Sequence, residues 1–122
     1  MTLTDVARDK TALLMAYGSG VSFPRFLAVG SGSGAAAVSN TALIGETGTR
    51  ADFTTRDVST AKQIEWVYDI SSVSMSGLDL TEFGVFDTST AVSGTMWERE
   101  GFSSIEFDGT NELQVQINFE IF

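Results

Sequence analysis

The sequence predicts a mainly β protein: an antiparallel β-sandwich or open barrel of about five to seven strands with one N-terminal α-helix. Residues 113–121 alternate strictly between apolar and polar side chains, as in a half-buried antiparallel strand. Other short segments of strand-forming residues are separated by turn signals, and helical periodicity is convincing only in residues 3–17. The 122 residues suit one domain, with helix 3–17 preceding a β-domain over 24–122.

The predicted helix carries its own start and stop signals. Thr4 suits the N-cap, Asp5 the first turn, and Gly18 the helix end. Lys10 interrupts a broad apolar face formed by Leu3, Val6, Leu13, Leu14 and Tyr17. A lone amphipathic helix on a β-domain often buries its apolar face on a neighbour, so these five residues are candidate interface residues.

The β-domain is predicted to start at Pro24 and to contain strands joined by glycine-rich and polar turns. The segment QIEWVYDI (residues 63–70) places Ile64, Trp66, Tyr68 and Ile70 on one face. The last strand follows a turn at 108–111. The predicted strands cover residues 25–30, 49–56 (the weakest signal), 63–70, 80–87, 94–102 and 112–122.

The composition argues against an enzyme. The chain has neither histidine nor cysteine, so it lacks the usual neutral-pH base, a thiolate nucleophile and the commonest metal ligands. Glu98 and Glu100 share a strand face with Arg99 opposite, a pattern that favours a solvated strand face over a pair of glycosidase carboxylates. The segment DGTNE (residues 108–112) lacks EF-hand spacing and is predicted to be a plain turn. We expect no catalytic residue, no metal and no cofactor.

The charge limits the partners. A net charge of −9 opposes binding to nucleic acid, and the absence of an 18-residue apolar run predicts no membrane insertion. The acidic N-terminus lacks the apolar core of a secretory signal. A lysine-poor, acidic composition is also typical of halophilic proteins, and this interpretation stands beside that of an ordinary acidic protein.

A glycine-rich stretch, GSGSG, follows the strand at 25–30. Gly30, Gly32 and Gly34 have the spacing of a dinucleotide-binding loop, but no βαβ unit follows and no phosphate-loop lysine is near. Glycine is also the residue that tolerates the positive φ of tight turns. We therefore predict a surface turn, and neither a phosphate cradle nor a linker.

The segment LTEFGVFD places Glu82, Gly84 and Phe86 on one face of a strand. A glycine within a strand indicates a bulge or the close approach of another group. A carboxylate beside it could accept hydrogen bonds from the amides of a neighbouring loop. The alternative is that Glu82 faces water and Gly84 has no special role. Phe86 is predicted to lie in the core.

Several segments occur in an order that resembles a known module. The helix begins with LTD, the first long strand ends in A-x-G-x-G (Ala28, Gly30, Gly32), and an alternating strand comes last. Between them lie T-A-L-x-x-E with a following arginine (Thr41, Ala42, Leu43, Glu46, Arg50) and E-x-G-x-F-D (Glu82, Gly84, Phe86, Asp87). The chain resembles the small β-rich module of tail-fibre N-terminal domains and related virion proteins of tailed bacterial and archaeal viruses. It departs from the pattern at Ala7, where glycine is common, and at Arg50, which follows Glu46 by four residues instead of three.

The resemblance implies a non-enzymatic virion structural protein. It would be a connector or fibre-base subunit of the tail or baseplate, made in the host cytoplasm and acting by self-assembly and docking. The implied partners are further copies of the chain, as a homo-oligomer with a trimer favoured, and other virion tail or capsid proteins. The residues that carry the structural motif are Gly30, Gly32, Leu43, Glu46, Glu82, Gly84 and Phe86.

Two alternatives stay open at this point. A capsid decoration or turret subunit would have the same kind of small β-domain. A carbohydrate-binding module would use Trp66, Trp97 and Tyr68 as a stacking platform, and would therefore need these rings at the surface.

Overall fold

The structure is a computed structural model that describes residues 2–18, 22–59, 61, 63–71, 77–108, 110 and 112–120. A single helix and eight strands occur within these ranges. The elements are β1 (Thr2–Leu3), α1 (Asp5–Tyr17), β2 (Phe26–Gly30), β3 (Glu46–Ala51), β4 (Thr55–Asp57), β5 (Gln63–Ser71), β6 (Asp79–Phe86), β7 (Met96–Glu106) and β8 (Glu112–Glu120).

The strands form two antiparallel sheets, which confirms the predicted fold class. The five-stranded sheet has the order β1-β7-β6-β2-β3, and the three-stranded sheet has the order β4-β5-β8. The main core lies between them, because strand alternation turns one apolar face of each sheet inward. Its buried members are Leu27, Val29, Trp66, Tyr68, Ile70, Leu80, Val85, Phe107, Val115 and Ile117.

Helix α1 is capped as the sequence predicts. The Thr4 hydroxyl accepts a hydrogen bond from the Ala7 amide at 3.1 Å and donates one to the Met96 carbonyl at 2.6 Å. The helix ends at Gly18, whose φ of 68° is the left-handed conformation that glycine adopts readily. The helix starts two residues later than predicted because Thr2 and Leu3 pair with β7. No helix in the described part of the chain is long and apolar enough to span a bilayer.

The predicted strand over 49–56 is wrong as a single element. Residues 46–51 belong to the five-stranded sheet and residues 55–57 to the three-stranded sheet, so the chain changes sheets at 52–54. Alternation does not mark such a crossing, since apolar and polar side chains continue to alternate through it. The crossing itself is held by the amide of Thr54, which donates to the Val67 carbonyl at 2.8 Å.

The other strands differ from their predicted bounds mainly at their ends. Strand β7 runs to Glu106, four residues beyond the predicted end, and its pairing with β6 shifts register between Leu80 and Glu82. The shift accommodates extra residues of β7, a bulge that the sequence pattern did not indicate. Strand β8 was predicted to reach residue 122; residues 121–122 lie outside the described residues.

Candidate functional site

The candidate site is centred on the carboxylate of Glu82, in β6 beneath residues 31–45, which we call the anchored loop. The Glu82 side chain is fully buried. Its Oε1 accepts hydrogen bonds from the amides of Gly32 at 3.1 Å and Gly45 at 2.7 Å, and Oε2 accepts from the amide of Ile44 at 3.1 Å. The prediction that Glu82 binds loop amides is confirmed, and the water-facing alternative is wrong.

Arg99 of β7 completes the site. Its Nε and Nη2 donate to Oε2 of Glu82 at 3.1 and 2.9 Å, and both side chains are inaccessible to solvent. The same guanidinium donates to the carbonyls of Gly34 and Ala35 and to the side-chain oxygen of Asn40. One arginine therefore ties the carboxylate to residues 34–40 of the anchored loop.

The expected solvated face of Glu98 and Glu100 is wrong for Glu98, and Arg99 on the other face is buried as well. Arg99 pairs with Gly84 across β6 and β7, so its side chain lies on the sheet face that the anchored loop covers. Glu98 lies on the opposite face, toward the core, and is only 4% exposed. The alternation was assigned correctly, but both faces of the five-stranded sheet are covered in this region.

The electrostatics keep Glu82 ionised. Burial alone would raise the pKa of Glu82, but the amides of Gly45 and Ile44 and the Arg99 guanidinium outweigh burial and hold the pKa below its ordinary value. Both oxygens are occupied by donors. The group is therefore suited to holding a structure together and is poorly suited to proton transfer or nucleophilic attack.

Glycine is required at the motif positions because a side chain there would collide with neighbouring atoms. A Cβ atom on Gly30 or Gly32 would lie 2.6 Å from Oε1 of Glu82, and one on Gly84 would lie 3.0 Å from Cδ2 of Leu43. Positive φ was the expected reason, but among Gly30, Gly32 and Gly34 only Gly34 shows it, at 125°. The amide of Gly32, one of those that a phosphate loop would offer to a ligand, binds the Glu82 carboxylate of the chain itself, so the surface-turn interpretation needs this refinement.

A second buried ion pair lies at the other end of the same sheet face. Arg50 and Glu46 form two hydrogen bonds of 3.0 and 2.9 Å, and Nη1 of Arg50 donates to the carbonyls of Thr88 and Ser93. The guanidinium lies 3.8 Å from the ring centre of Phe86, within cation–π distance. Phe86 is 1% exposed, which confirms it as a core residue, in a second cluster with Ala28, Leu43 and Met96.

The structure thus brings together all seven residues of the predicted motif on one face of the five-stranded sheet. Arg99 is the member that sequence reasoning missed. Its position between two glutamates is typical of an exposed strand, and no pattern in the sequence pairs it with Glu82, seventeen residues earlier.

Glu98 is another buried carboxyl group, and it lies on the opposite face of the five-stranded sheet from Glu82. Glu98 has a side-chain oxygen, Oε2, with no hydrogen-bond partner in the described part of the chain. Burial raises the pKa of Glu98 to about 7, and the negative charge of Glu100 adds to the shift. Within the described residues, no group of three or more acidic side chains is arranged to hold a metal ion.

The five candidate interface residues, one in β1 and four in α1, are exposed to different degrees. Leu3, Val6 and Leu14 are half-buried, whereas Leu13 is 44% and Tyr17 77% exposed. Met15, which the sequence analysis left out, is 84% exposed. Only Ala7 of the helix is fully buried, so the first turns attach α1 to the sandwich. We call the exposed residues Leu13, Met15 and Tyr17 the helix tip.

The rings proposed for sugar stacking are not at the surface. Trp66 is 6%, Trp97 5% and Tyr68 0% exposed, and the Tyr68 hydroxyl donates to the carbonyl of Arg25. The stacking platform on which the carbohydrate-binding alternative depended is therefore absent from these three residues.

Comparison of the chain with protein-family models, with curated proteins and with solved structures finds no match.

Proposed function

We propose that this chain is a non-enzymatic virion structural protein, a connector or fibre-base subunit in the tail or baseplate of a tailed virus, and that it acts by self-assembly and docking. The helix tip is the observation that carries the proposal. Three large apolar side chains stand exposed around the last turns of a helix that is attached to the sandwich through its first turns. Leu13 and Tyr17 lie one turn apart on one side, and Met15 lies on the other side. A helix end with large apolar side chains exposed on both sides can be covered by neighbouring copies, and exposed apolar surface of this kind commonly marks protein–protein contacts.

The Glu82 site supports an architectural role. Its hydrogen bonds fix a fifteen-residue loop to the sheet, and its charge is neutralised internally by Arg99. The separate sequence motifs that resemble virion modules contact one another at this site. A shared structural role is therefore a reason for these motifs to occur together in one chain. We propose a homo-oligomer with a trimer favoured, in which helix tips of neighbouring copies pack together.

Antibody–gold labelling of purified virions, viewed by electron microscopy, tests the location. Label at the tail or its tip is the expected result. Label over the head would indicate a capsid decoration or turret subunit and would overturn the fibre-base assignment. Virions without label would overturn the virion proposal as a whole.

The contact element is tested in solution by light scattering coupled to size-exclusion chromatography. A variant carrying Met15→Ser and Tyr17→Ser should lower the mass of the oligomer by breaking the contact between helix tips, because it removes most of the exposed apolar surface of the helix tip. Val58→Ser, which changes a residue that is 69% exposed on another part of the surface, is the control and should leave the mass unchanged. An unchanged mass in the helix variant would exclude the tip as the contact.

A further inference from the structure

The free edge of β8 is the least protected sheet edge in the described part of the chain. Edge strands are normally blunted by shortness, bulges, glycine, proline or lysine. Strand β1 pairs with only two residues of β7, but the part of β7 beyond them is interrupted by Gly101 and a register shift. Strand β4 has three residues, and β3 contains Gly48 at a φ of 71° beside a register shift. Strand β8 has nine residues in unbroken register with β5, and none of them is glycine, proline or lysine.

An apolar cleft of about 440 Å³ lies beside β8, between the two sheets. It is lined on the five-stranded sheet by Val29, Phe83, Phe102 and Ile105, and on β8 by residues 113–116. The rings of Phe83 and Phe102 lie 5.9 Å apart and are only half-buried. A strand added to β8 would place its inward side chains over this cleft and complete the cover of the core.

The charges along β8 limit which strand can pair with its free edge. A net charge of −9 makes two copies repel each other in general, but residues 113–118 of β8 carry no charge. Acids of β8 itself stand only at its two ends, Glu112 and Glu120. On the neighbouring strand β5, Asp69 and Glu65 accept hydrogen bonds from the side-chain amides of Gln114 and Gln116 at 3.1 and 2.9 Å. The edge that a neighbour would meet is therefore a row of neutral amides.

The sequence of β8 is complementary to itself in the antiparallel sense. A two-fold axis at Val115 places Leu113 opposite Ile117, and Gln114 opposite Gln116. Apolar side chains then meet on the inner face, and amides meet on the outer face. Glu112 lies opposite Asn118, so no acid faces another acid across the axis.

We propose that a second copy of this chain pairs its β8 antiparallel to β8 about an axis at Val115, which joins the two three-stranded sheets into one continuous sheet. Val115 and Ile117 of each copy stay in the core of their own copy, so the contact consists of main-chain hydrogen bonds along the two strands and of the half-buried Leu113 of one copy beside Ile117 of the other. This contact uses a different surface from the helix tip, and it holds whether or not the protein belongs to a virion.

The test compares the wild-type chain with a Gln114→Lys, Gln116→Lys variant by sedimentation over a range of concentrations. The introduced ammonium groups remain attracted to Asp69 and Glu65 within one copy but lie opposite each other across the axis. Like charges directly opposite are expected to weaken the dimer about tenfold. Thr49→Lys with Thr90→Lys is the control, because both residues are exposed and the change in net charge is the same.

Hydrogen exchange on the wild-type chain gives a reading that does not depend on the variant folding. The outward amides of β8 should be protected at high concentration and should lose protection on dilution. The proposal is overturned if these amides exchange equally at all concentrations, if the β8 variant dimerises as well as the control, or if dimerisation is lost in the helix-tip variant instead. The last result would leave the proposed function standing.

Discussion

Replacing Glu82 with glutamine tests whether one buried carboxylate holds the anchored loop in place. The change keeps the shape of the side chain, removes its charge and exchanges one acceptor oxygen for an NH₂ donor. Oε1 faces the amides of Gly32 and Gly45, while Oε2 faces Ile44 and Arg99. Whichever way the new amide turns, its NH₂ group faces hydrogen-bond donors of the protein, and these donors then lack an acceptor.

Two costs set the size of the effect. Removing one partner of a buried ion pair typically costs about 3–5 kcal/mol, because the remaining charge stays buried. Arg99 keeps two carbonyls and Asn40 as acceptors, which lowers this cost toward about 3 kcal/mol. A loop amide left without its acceptor adds roughly 1–3 kcal/mol. We expect a total loss of about 4 kcal/mol, a large share of the roughly 5–15 kcal/mol that stabilises a typical domain.

Urea denaturation measures the loss, and hydrogen exchange shows where it arises. The amides of Gly32, Ile44 and Gly45 should lose protection in Glu82→Gln. Glu65→Gln is the matched control, since Glu65 accepts from Gln116 at the surface of β5 and the same change there should stay within about 0.5 kcal/mol. A loss below about 1 kcal/mol in Glu82→Gln, or unchanged protection of the three amides, would refute the anchoring role.

The remaining predictions concern Phe86 and Glu98. Phe86→Ala should cost about 3–5 kcal/mol in chemical denaturation, because it empties the second apolar cluster and removes the ring beneath Arg50; a cost under about 1 kcal/mol would contradict this. Glu98 takes up a proton more readily folded than unfolded, since its pKa rises from 4.5 to about 7. The contribution of Glu98 to the free energy of unfolding should therefore be largest below about pH 4.5. It should fall by about 3 kcal/mol as the pH rises from there through 7. The same decline in Glu98→Gln would show that another group causes it.

Sequence reasoning succeeded where a short pattern determines the structure locally. The alternation in residues 63–70 and 113–117 fixed the inward faces of β5 and β8, and Thr4 and Gly18 marked the limits of α1. Glu82 was also predicted as an acceptor of loop amides, because a glycine two residues later signalled the close approach of another group.

The rest depended on contacts between distant segments. The burial of Arg99 follows from its register with β6 and from the loop that covers it, and a strand sequence encodes neither directly. The division of residues 49–56 between two sheets and the bulge in β7 likewise arise from packing between sheets. Local propensity is therefore a guide to the elements, while tertiary contacts determine which charged residues become buried.

The long chain separation within the Glu82 site has a consequence for folding. The carboxylate and the amides it binds are 37 to 50 residues apart, and we expect the loop to close after β6 has paired with β2 and β7, because contacts between distant segments carry a high loop-closure cost. Interactions formed after the rate-limiting step affect the unfolding rate and leave the folding rate nearly unchanged. The anchored loop would then slow the unfolding of the sandwich and so lengthen the lifetime of the folded protein, with little effect on the folding rate.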